Sequence, residues 1–186
     1  MRYLLLFLVL ISYFFLSTNV FSKTLRIGTE GAYPPWNFTD SDGNLVGAEL
    51  DLARDLCKRM KVKCRFVQHD WDGIINGLQN KKFDVLMAGM TVTQERLKII
   101  DFSIPYIIPA GGGVVSAGIR KEDKELKLML DIAISEAIRD NKISDITRKW
   151  FGKNFSPGIE YALADDFEPT TTSKETTDLV LQAELK

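Results

Sequence analysis

The sequence of 186 residues has few of the features that would mark a metal-binding or nucleic-acid-binding protein. It contains one histidine and two cysteines, no long basic run, and a formal net charge of -1. Nucleic-acid-binding domains usually carry a basic patch, and metal sites need several ligating side chains. We therefore expect no nucleic acid, no metal and no other cofactor. With 45% hydrophobic residues, the composition is that of a globular chain long enough for one core.

The first 22 residues have the pattern of an export signal. Arg2 is the only charged residue among them, and residues 4–16 form an almost unbroken apolar run. Compact side chains occupy the two positions that a signal peptidase inspects, ending at Ser22. An uncleaved membrane anchor is the alternative, although the run is shorter than the roughly 20 residues of a spanning helix. We predict a signal peptide at residues 1–22.

Both cysteines, Cys57 and Cys64, lie in the mature chain. An even number of cysteines in an oxidising compartment favours a disulfide, which in so short a ring contributes about 2–3 kcal/mol by the chain-entropy estimate. A metal site is the rival interpretation, but no second cysteine pair or nearby cluster of histidines accompanies the two residues.

Strand-like and helix-like segments alternate along the chain, an order typical of a parallel sheet with helices on its faces. The pattern predicts strands at 24–29, 62–67, 83–87, 99–102 and 114–120. It predicts helices at 48–60, 71–78, 122–139 and 143–151, and a helical turn after Thr93. Residues 30–38, with a glycine, two prolines and several aromatic rings, are predicted to form a loop.

In sheets of this kind, ligands bind beyond the carboxyl ends of the strands. The segments to inspect are therefore 30–36, 68–71 and 88–91. The first two contain Tyr33, Trp36 and Trp71, whose rings could enclose a flat or aliphatic group and whose faces favour cations. Core packing is the alternative interpretation for both tryptophans.

The third segment combines small and polar residues: Ala88, Gly89, Met90 and Thr91. Small residues let a ligand approach the backbone, and free N–H groups at a helix start attract an anion. Arg96 follows five residues later, and its planar guanidinium suits a carboxylate. The sequence thus indicates a carboxylate site, with a solvated helical arginine as the alternative.

Two further residues bear on chemistry. Glu30 comes directly after the first strand, where it could meet a ligand ammonium or guanidinium, or remain a solvated loop acid. No nearby serine, cysteine or acidic residue forms a catalytic-triad pattern with His69, and we predict that it is a surface residue. No dedicated acid–base pair is evident, so we expect a binding protein without catalytic residues.

Several motifs, in order, resemble one family. They occupy residues 25–38, 43–53, 83–96, 100–106, 120–126 and 146–152. Together they resemble family 3 of the periplasmic solute-binding proteins, which bind polar amino acids for ABC importers. The resemblance implies an α/β fold, namely a three-layer αβα lobe whose mostly parallel sheet has one returning strand. It also implies a periplasmic location.

The resemblance assigns roles to residues of the candidate site. Arg96 would grip the ligand α-carboxylate, helped by Gly89 and Thr91. Tyr33 and Trp71 would line the ligand side chain, and Glu30 would read a basic head group. The Cys57–Cys64 pair resembles the disulfide of the branch that binds histidine or lysine, arginine and ornithine. That branch often has a serine pair where this chain has Ala88 and Gly89. We expect the ligand to be a basic or polar L-amino acid.

The chain departs from the family in one respect. Only residues 107–119 separate the two motifs between which relatives insert a second lobe of roughly 100 residues. We therefore expect one lobe at 23–155, made of 23–109 and 114–155 joined by the Gly-rich linker 110–113. The acidic stretch 156–186 would be a weakly ordered tail.

A single lobe has consequences for function. In the family, the group that binds the ligand α-ammonium comes from the lobe that is absent here, so we expect weak amino-acid binding. The expected protein partner is the membrane permease of an ABC importer. One alternative is a regulatory or interaction module. Exposed apolar surface at 104–109 would favour this alternative, and the same surface could instead cause self-association. A periplasmic dehydratase of the same fold is another.

Overall fold

The computed structural model describes residues 24–110 and 113–157. In these residues the strands are β1 (Thr24–Thr29), β2 (Ala32–Tyr33), β3 (Asn37–Thr39), β4 (Leu45–Val46), β5 (Lys63–Gln68), β6 (Val85–Leu86), β7 (Asp101–Phe102) and β8 (Gly118–Ile119). The helices are α1 (Ala48–Arg59), α2 (Ile74–Gln79), α3 (Gln94–Leu97), α4 (Lys124–Arg139) and α5 (Lys142–Phe151), and a 3-10 turn at Trp71–Gly73 precedes α2.

The central sheet has the strand order β5-β1-β6-β8-β7. β1 lies between β5 and β6 and pairs in parallel with both, whereas β8 pairs antiparallel with β6 and with β7. The predicted α/β fold, with a mostly parallel sheet and one returning strand, is confirmed. A second, antiparallel sheet of β2, β3 and β4 lies beside the carboxyl end of β1.

Helices cover both faces of the central sheet because each carries one apolar stripe. One apolar cluster joins Ile27 of β1 to Leu52 of α1, Leu130 of α4 and Ile146 of α5. The other cluster lies on the opposite face and includes Leu78 of α2. The structure therefore has three layers: α1, α4 and α5 pack on one face of the central sheet, and α2 and α3 pack on the other.

The chain returns into the same sheet after β7 instead of leaving it. Ile107 and Val115 form an antiparallel bridge, and the Val115 N–H donates to the Ile107 carbonyl at 3.0 Å. The Ser103 N–H donates to the Ala117 carbonyl at 2.9 Å. The segments on either side of the glycine-rich stretch are thus hydrogen-bonded neighbours, and the sheet closes across this short connection.

A buried ion pair fastens the returning half to the first half. Asp131 on α4 accepts the Ile104 N–H at 2.8 Å and the Lys127 ammonium at 2.7 Å. Asp131 and Lys127 are 0% and 3% exposed. Burial raises the pKa of Asp131, while the neighbouring ammonium opposes that change.

Two parts of the structure differ from the sequence-based expectations, and a third bears on one of the alternatives. Residues 30–38 contain two short strands, not only loop. The strand expected at 114–120 is regular only at β8, with Val115 joined through isolated bridges. Segment 104–109, whose exposure would have favoured an interaction module, is largely covered, since Ile104 is 4% exposed and Tyr106 and Ile107 are 0% exposed.

The disulfide interpretation is confirmed. Cys57 of α1 and Cys64 of β5 are joined, with their Cα atoms 5.9 Å apart. Among residues 24–110 and 113–157, no helix has the length and apolar character that crossing a bilayer requires. The predicted signal peptide (1–22), the centre of the linker (111–112) and all but the first two residues of the tail lie outside the described residues.

Candidate ligand site

Three chain segments meet beyond the carboxyl ends of β1, β5 and β6, as the parallel sheet requires. The first is the hairpin of β2 and β3, residues 32–39, which we call the aromatic hairpin. The second contains Trp71 in the 3-10 turn after β5. The third is the stretch 88–91 after β6, which we call the ligand loop.

The aromatic hairpin presents one ring to solvent and buries another. Tyr33 is 48% exposed and stacks on Trp36 with ring centroids 6.1 Å apart and planes 6° from parallel. Trp36 is 9% exposed and meets Phe151 of α5 edge-on, with centroids 4.8 Å apart. The Trp36 ring therefore lies in the core and supports Tyr33 from below.

The ligand loop packs directly against Tyr33. Gly89 has φ +68°, a conformation that costs a residue with a Cβ, and a Cβ there would lie 3.0 Å from the Tyr33 ring. The side chains of Ala88 and Met90 are each 1% exposed and belong to the cluster under α2. These two residues can therefore offer a ligand only backbone groups, whereas Thr91 is half-buried.

Arg96 joins the ligand loop to the second segment. The Thr93 hydroxyl accepts the Arg96 N–H at 3.3 Å, which confirms the predicted cap of α3. The Arg96 guanidinium donates to the Thr91 carbonyl at 2.6 Å and lies 5.5 Å from the centre of the Trp71 ring. Arg96 is half-buried, so most of its five N–H donors remain available to a carboxylate.

The remaining sequence candidates occupy different positions. Glu30 is half-buried at the end of β1, and within the described residues its carboxylate has no hydrogen-bond or ion-pair partner. His69 is partly buried and packs edge-on against Phe83, with ring centroids 5.9 Å apart. In residues 24–110 and 113–157, no group of three or more His, Cys, Asp or Glu side chains could hold a metal ion.

One residue that sequence reasoning missed lies directly beneath the site. Glu49, in the first turn of α1, is 0% exposed. Its carboxylate accepts hydrogen bonds from the Tyr106 hydroxyl and from the Asn37 side-chain amide at 3.1 Å. Burial raises the pKa of Glu49 to about 7, although both donors favour the ionised form.

Comparison with known proteins places this geometry in a family. The profile of the bacterial extracellular solute-binding proteins, family 3, matches residues 25–153. The chain belongs to this family. The resemblance noted from the sequence motifs is thereby confirmed.

The curated relatives are periplasmic binding proteins. The chain is 57% identical over 84 residues to the octopine-binding periplasmic protein of Rhizobium meliloti, covering 45% of this chain and 29% of the relative. It is 36% identical over 113 residues to the L-arginine-binding protein of Pseudomonas aeruginosa, covering 61% and 44%. The chain thus spans less than half the length of these relatives.

Solved structures of similar fold include both isolated domains and complete binding proteins. The arginine-bound form of domain 1 from TmArgBP is 38% identical, with a TM-score of 0.58 and coverage of 61% of this chain and 92% of that one. A His/Glu/Gln/Arg/opine family-binding protein from Silicibacter pomeroyi, in complex with lysine, is 26% identical, with a TM-score of 0.67 and coverage of 72% and 99%. AncCDT-1, an ancestral amino-acid-binding protein and precursor of cyclohexadienyl dehydratase, is 26% identical, with a TM-score of 0.62 and coverage of 69% and 95%.

Proposed function

We propose that this chain binds a basic L-amino acid, with arginine as the first candidate, outside the cytoplasm and in the service of an ABC importer. The observation that carries the proposal is the position of Arg96. Its guanidinium lies at the carboxyl edge of the sheet and donates to Thr91 of the ligand loop, and most of its donors are unused within the described residues. A carboxylate accepts two parallel N–H bonds from such a group.

The rest of the ligand has contacts of matching chemistry. Tyr33 and Trp71 are 48% and 37% exposed, unusual for rings of this size, and they flank the ligand loop and Arg96. Their faces suit the aliphatic stem and the cationic head of arginine or lysine. The carboxylate of Glu30 after β1, which has no partner within residues 24–110 and 113–157, supplies a negative charge for that head group.

The names of the relatives support the same ligand class. They include arginine, lysine and octopine among the ligands of family members, and arginine is bound to an isolated domain 1 in one of the similar structures. A single lobe of a family member can therefore be sufficient for an arginine complex. We infer that this chain, whose sheet closes between Ile107 and Val115, acts as such a one-lobe form.

The affinity of a one-lobe site should be modest. Two-lobed members enclose their ligand by hinge closure, whereas a single lobe leaves the α-ammonium in water and orders the ligand with half the contacts. We expect a Kd of about 1 mM, which corresponds to roughly -4 kcal/mol. Export through the predicted signal peptide and contact with a permease belong to the same proposal.

Isothermal titration of the oxidised mature chain with L-arginine tests this function. Binding should be lost in Arg96→Ala and retained in Arg148→Ala, which removes a 59% exposed arginine from the far side of α5. Lysine, histidine, glutamine and octopine complete the panel. Equal binding by both variants, or binding to none of these ligands, would contradict the proposal.

Sizing chromatography addresses the alternative of an interaction module. Exposed residues at 104–109 would have favoured self-association, but four of them, residues 104–107, are buried. We therefore expect a monomer. A stable dimer that excludes arginine would favour the interaction module instead.

A further inference from the structure

Residues 113–116, which we call the return segment, pair with the end of the ligand loop. Thr91 and Val115 form an antiparallel bridge. The Val92 N–H donates to the Val114 carbonyl at 2.9 Å. The backbone that returns into the sheet therefore lies side by side with the backbone that leads from the ligand loop to the cap of α3.

The return segment is also held on its other edge. Val115 forms a second antiparallel bridge, to Ile107. The Tyr106 N–H donates to the Val115 carbonyl at 3.1 Å, and the Val115 N–H donates to the Ile107 carbonyl at 3.0 Å. Because both edges are bonded, the return segment cannot move away from the ligand loop without losing backbone hydrogen bonds.

Gly113, the first residue of the return segment, lies against the side chain of Thr91. A Cβ at Gly113 would overlap the Cγ2 methyl of Thr91 and would lie 3.7 Å from its hydroxyl oxygen. Non-bonded carbon atoms prefer a separation of about 3.5–4.0 Å, so the two methyl groups could not occupy these positions together. Gly113 does not have a positive φ, and its lack of a side chain therefore matters through this contact.

Thr91 passes this contact on to the proposed anchor. Its carbonyl accepts the Arg96 guanidinium at 2.6 Å, and the guanidinium lies 5.5 Å from the centre of the Trp71 ring. A methyl group at position 113 can be accommodated by rotation of the Thr91 side chain, which moves the hydroxyl, or by displacement of its backbone, which moves the carbonyl. Either response changes a group of the candidate site.

We propose that Gly113 is a positioning residue for the ligand site. The absence of a side chain lets the return segment lie on Thr91 and keeps the Thr91 carbonyl where it orients the Arg96 guanidinium. The consequence for affinity rests on the proposed function. The return segment is then a support of the ligand site, in addition to being the link between the two halves of the sheet.

A ligand-free measurement tests the positioning role. Gly113→Ala should shift the Arg96 Nε–H and the Trp71 indole N–H resonances in a 1H–15N spectrum, the former being identified by its loss in Arg96→Lys. The same substitution in a Thr91→Ser background should shift neither, because serine lacks the Cγ2 methyl that the new Cβ would meet. Resonances that do not move in Gly113→Ala, or that move equally in both backgrounds, would overturn the inference.

A double-mutant cycle on arginine affinity tests the consequence for the site. Titration of the same spectra with L-arginine at constant ionic strength gives the four dissociation constants. Gly113→Ala should weaken binding about tenfold when residue 91 is threonine and leave it unchanged when residue 91 is serine. If Gly113→Ala does not fold, Thr91→Ser should restore folding, and a failure to restore it would equally contradict a contact with Thr91.

The two measurements separate the inference from the proposed function. Resonance shifts that depend on residue 91, with no arginine binding to any of the four chains, would refute the arginine assignment and leave the positioning role standing. Arginine binding that Gly113→Ala weakens equally in both backgrounds, or does not weaken at all, would refute the role of Gly113 and leave the function standing.

Discussion

The two ends of the central sheet hold arginines that are used in opposite ways. At the amino ends of the parallel strands, Arg120 is 8% exposed and donates to the carbonyls of Leu78 and Phe83 at 3.0 and 2.8 Å. It also pairs with Asp123 and Asp84. At the carboxyl ends, the guanidinium of Arg96 makes one hydrogen bond within the described residues, and the residue is half-buried. The guanidinium of Arg120 is therefore used by the fold, whereas most of the donors of the Arg96 guanidinium remain available to a ligand.

The carboxylates show the same division. Burial alone would raise the pKa of Asp84, but hydrogen bonds from Arg26 hold it below its ordinary value. Glu30, at the other end of β1, has no partner within the described residues. Charged groups near the amino ends therefore neutralise one another and stabilise the fold, whereas those at the carboxyl ends retain unused bonding capacity. The stabilising charges and the proposed ligand site therefore lie at opposite edges of one sheet.

Arg120→Ala should produce the largest loss of stability. The substitution removes the donor to the Phe83 carbonyl and one of two donors to the Leu78 carbonyl, and it takes a buried cation away from Asp84 and Asp123. We expect the free energy of unfolding to fall by about 3 kcal/mol. Urea denaturation measures the loss, with Arg148→Ala as the exposed control. Affinity for arginine, measured where the variant is folded, should be unchanged. A loss below about 1 kcal/mol would show that the amino edge is not the stabilising one.

Glu49 should make stability depend on pH in the direction opposite to that of a paired acid. Its pKa is raised from 4.5 to about 7 in the folded chain, so its contribution is fully present below pH 4.5 and is lost as pH rises to about 7. Relative to Glu49→Gln, the wild type should lose roughly 3 kcal/mol across this window. Unfolding curves of both proteins at pH 4.5, 6 and 8 give the difference. A constant difference would mean that Glu49 is not desolvated.

Replacing both cysteines by alanine should act on stability alone. Cys57 lies near the last turn of α1, and Cys64 lies near the start of β5. The disulfide is therefore at the edge of the central sheet opposite to the ligand loop. The short loop predicts a loss of about 2–3 kcal/mol. Thermal unfolding with and without reductant measures it in the unmodified chain. A reduced protein with normal stability but weaker arginine binding would contradict the separation of the two edges.

The sequence was most informative where periodicity and chemistry agree. The alternation in β1 and the spacing of four in α1 reflect burial of one face, and both elements begin and end close to the predicted residues. Arg96 and Thr93 were predictable because a cap and a guanidinium have local sequence signals. The strands of the aromatic hairpin were missed because strands of two and three residues are too short to show periodicity. Pro34 and Pro35, between these strands, also favour the prediction of a loop.

Glu49 was missed for a different reason. An acid in the first turn of a helix is explained locally by the helix dipole, so nothing in the sequence distinguishes it from a solvated residue. Its partners are Asn37 and Tyr106, which are 12 and 57 residues away along the chain. Such a group becomes visible only when the packing of distant segments is known.

Arg96→Ala should have the smallest effect on stability of these substitutions, although it removes the proposed ligand anchor. The cap of α3 uses the backbone N–H of residue 96, which alanine retains. The Thr91 carbonyl loses its donor but lies in a half-buried loop, where water can replace it. We expect a change within about 0.5 kcal/mol in urea denaturation. A loss as large as that of Arg120→Ala would make Arg96 a structural residue, and the carboxyl edge would then no longer differ from the amino edge.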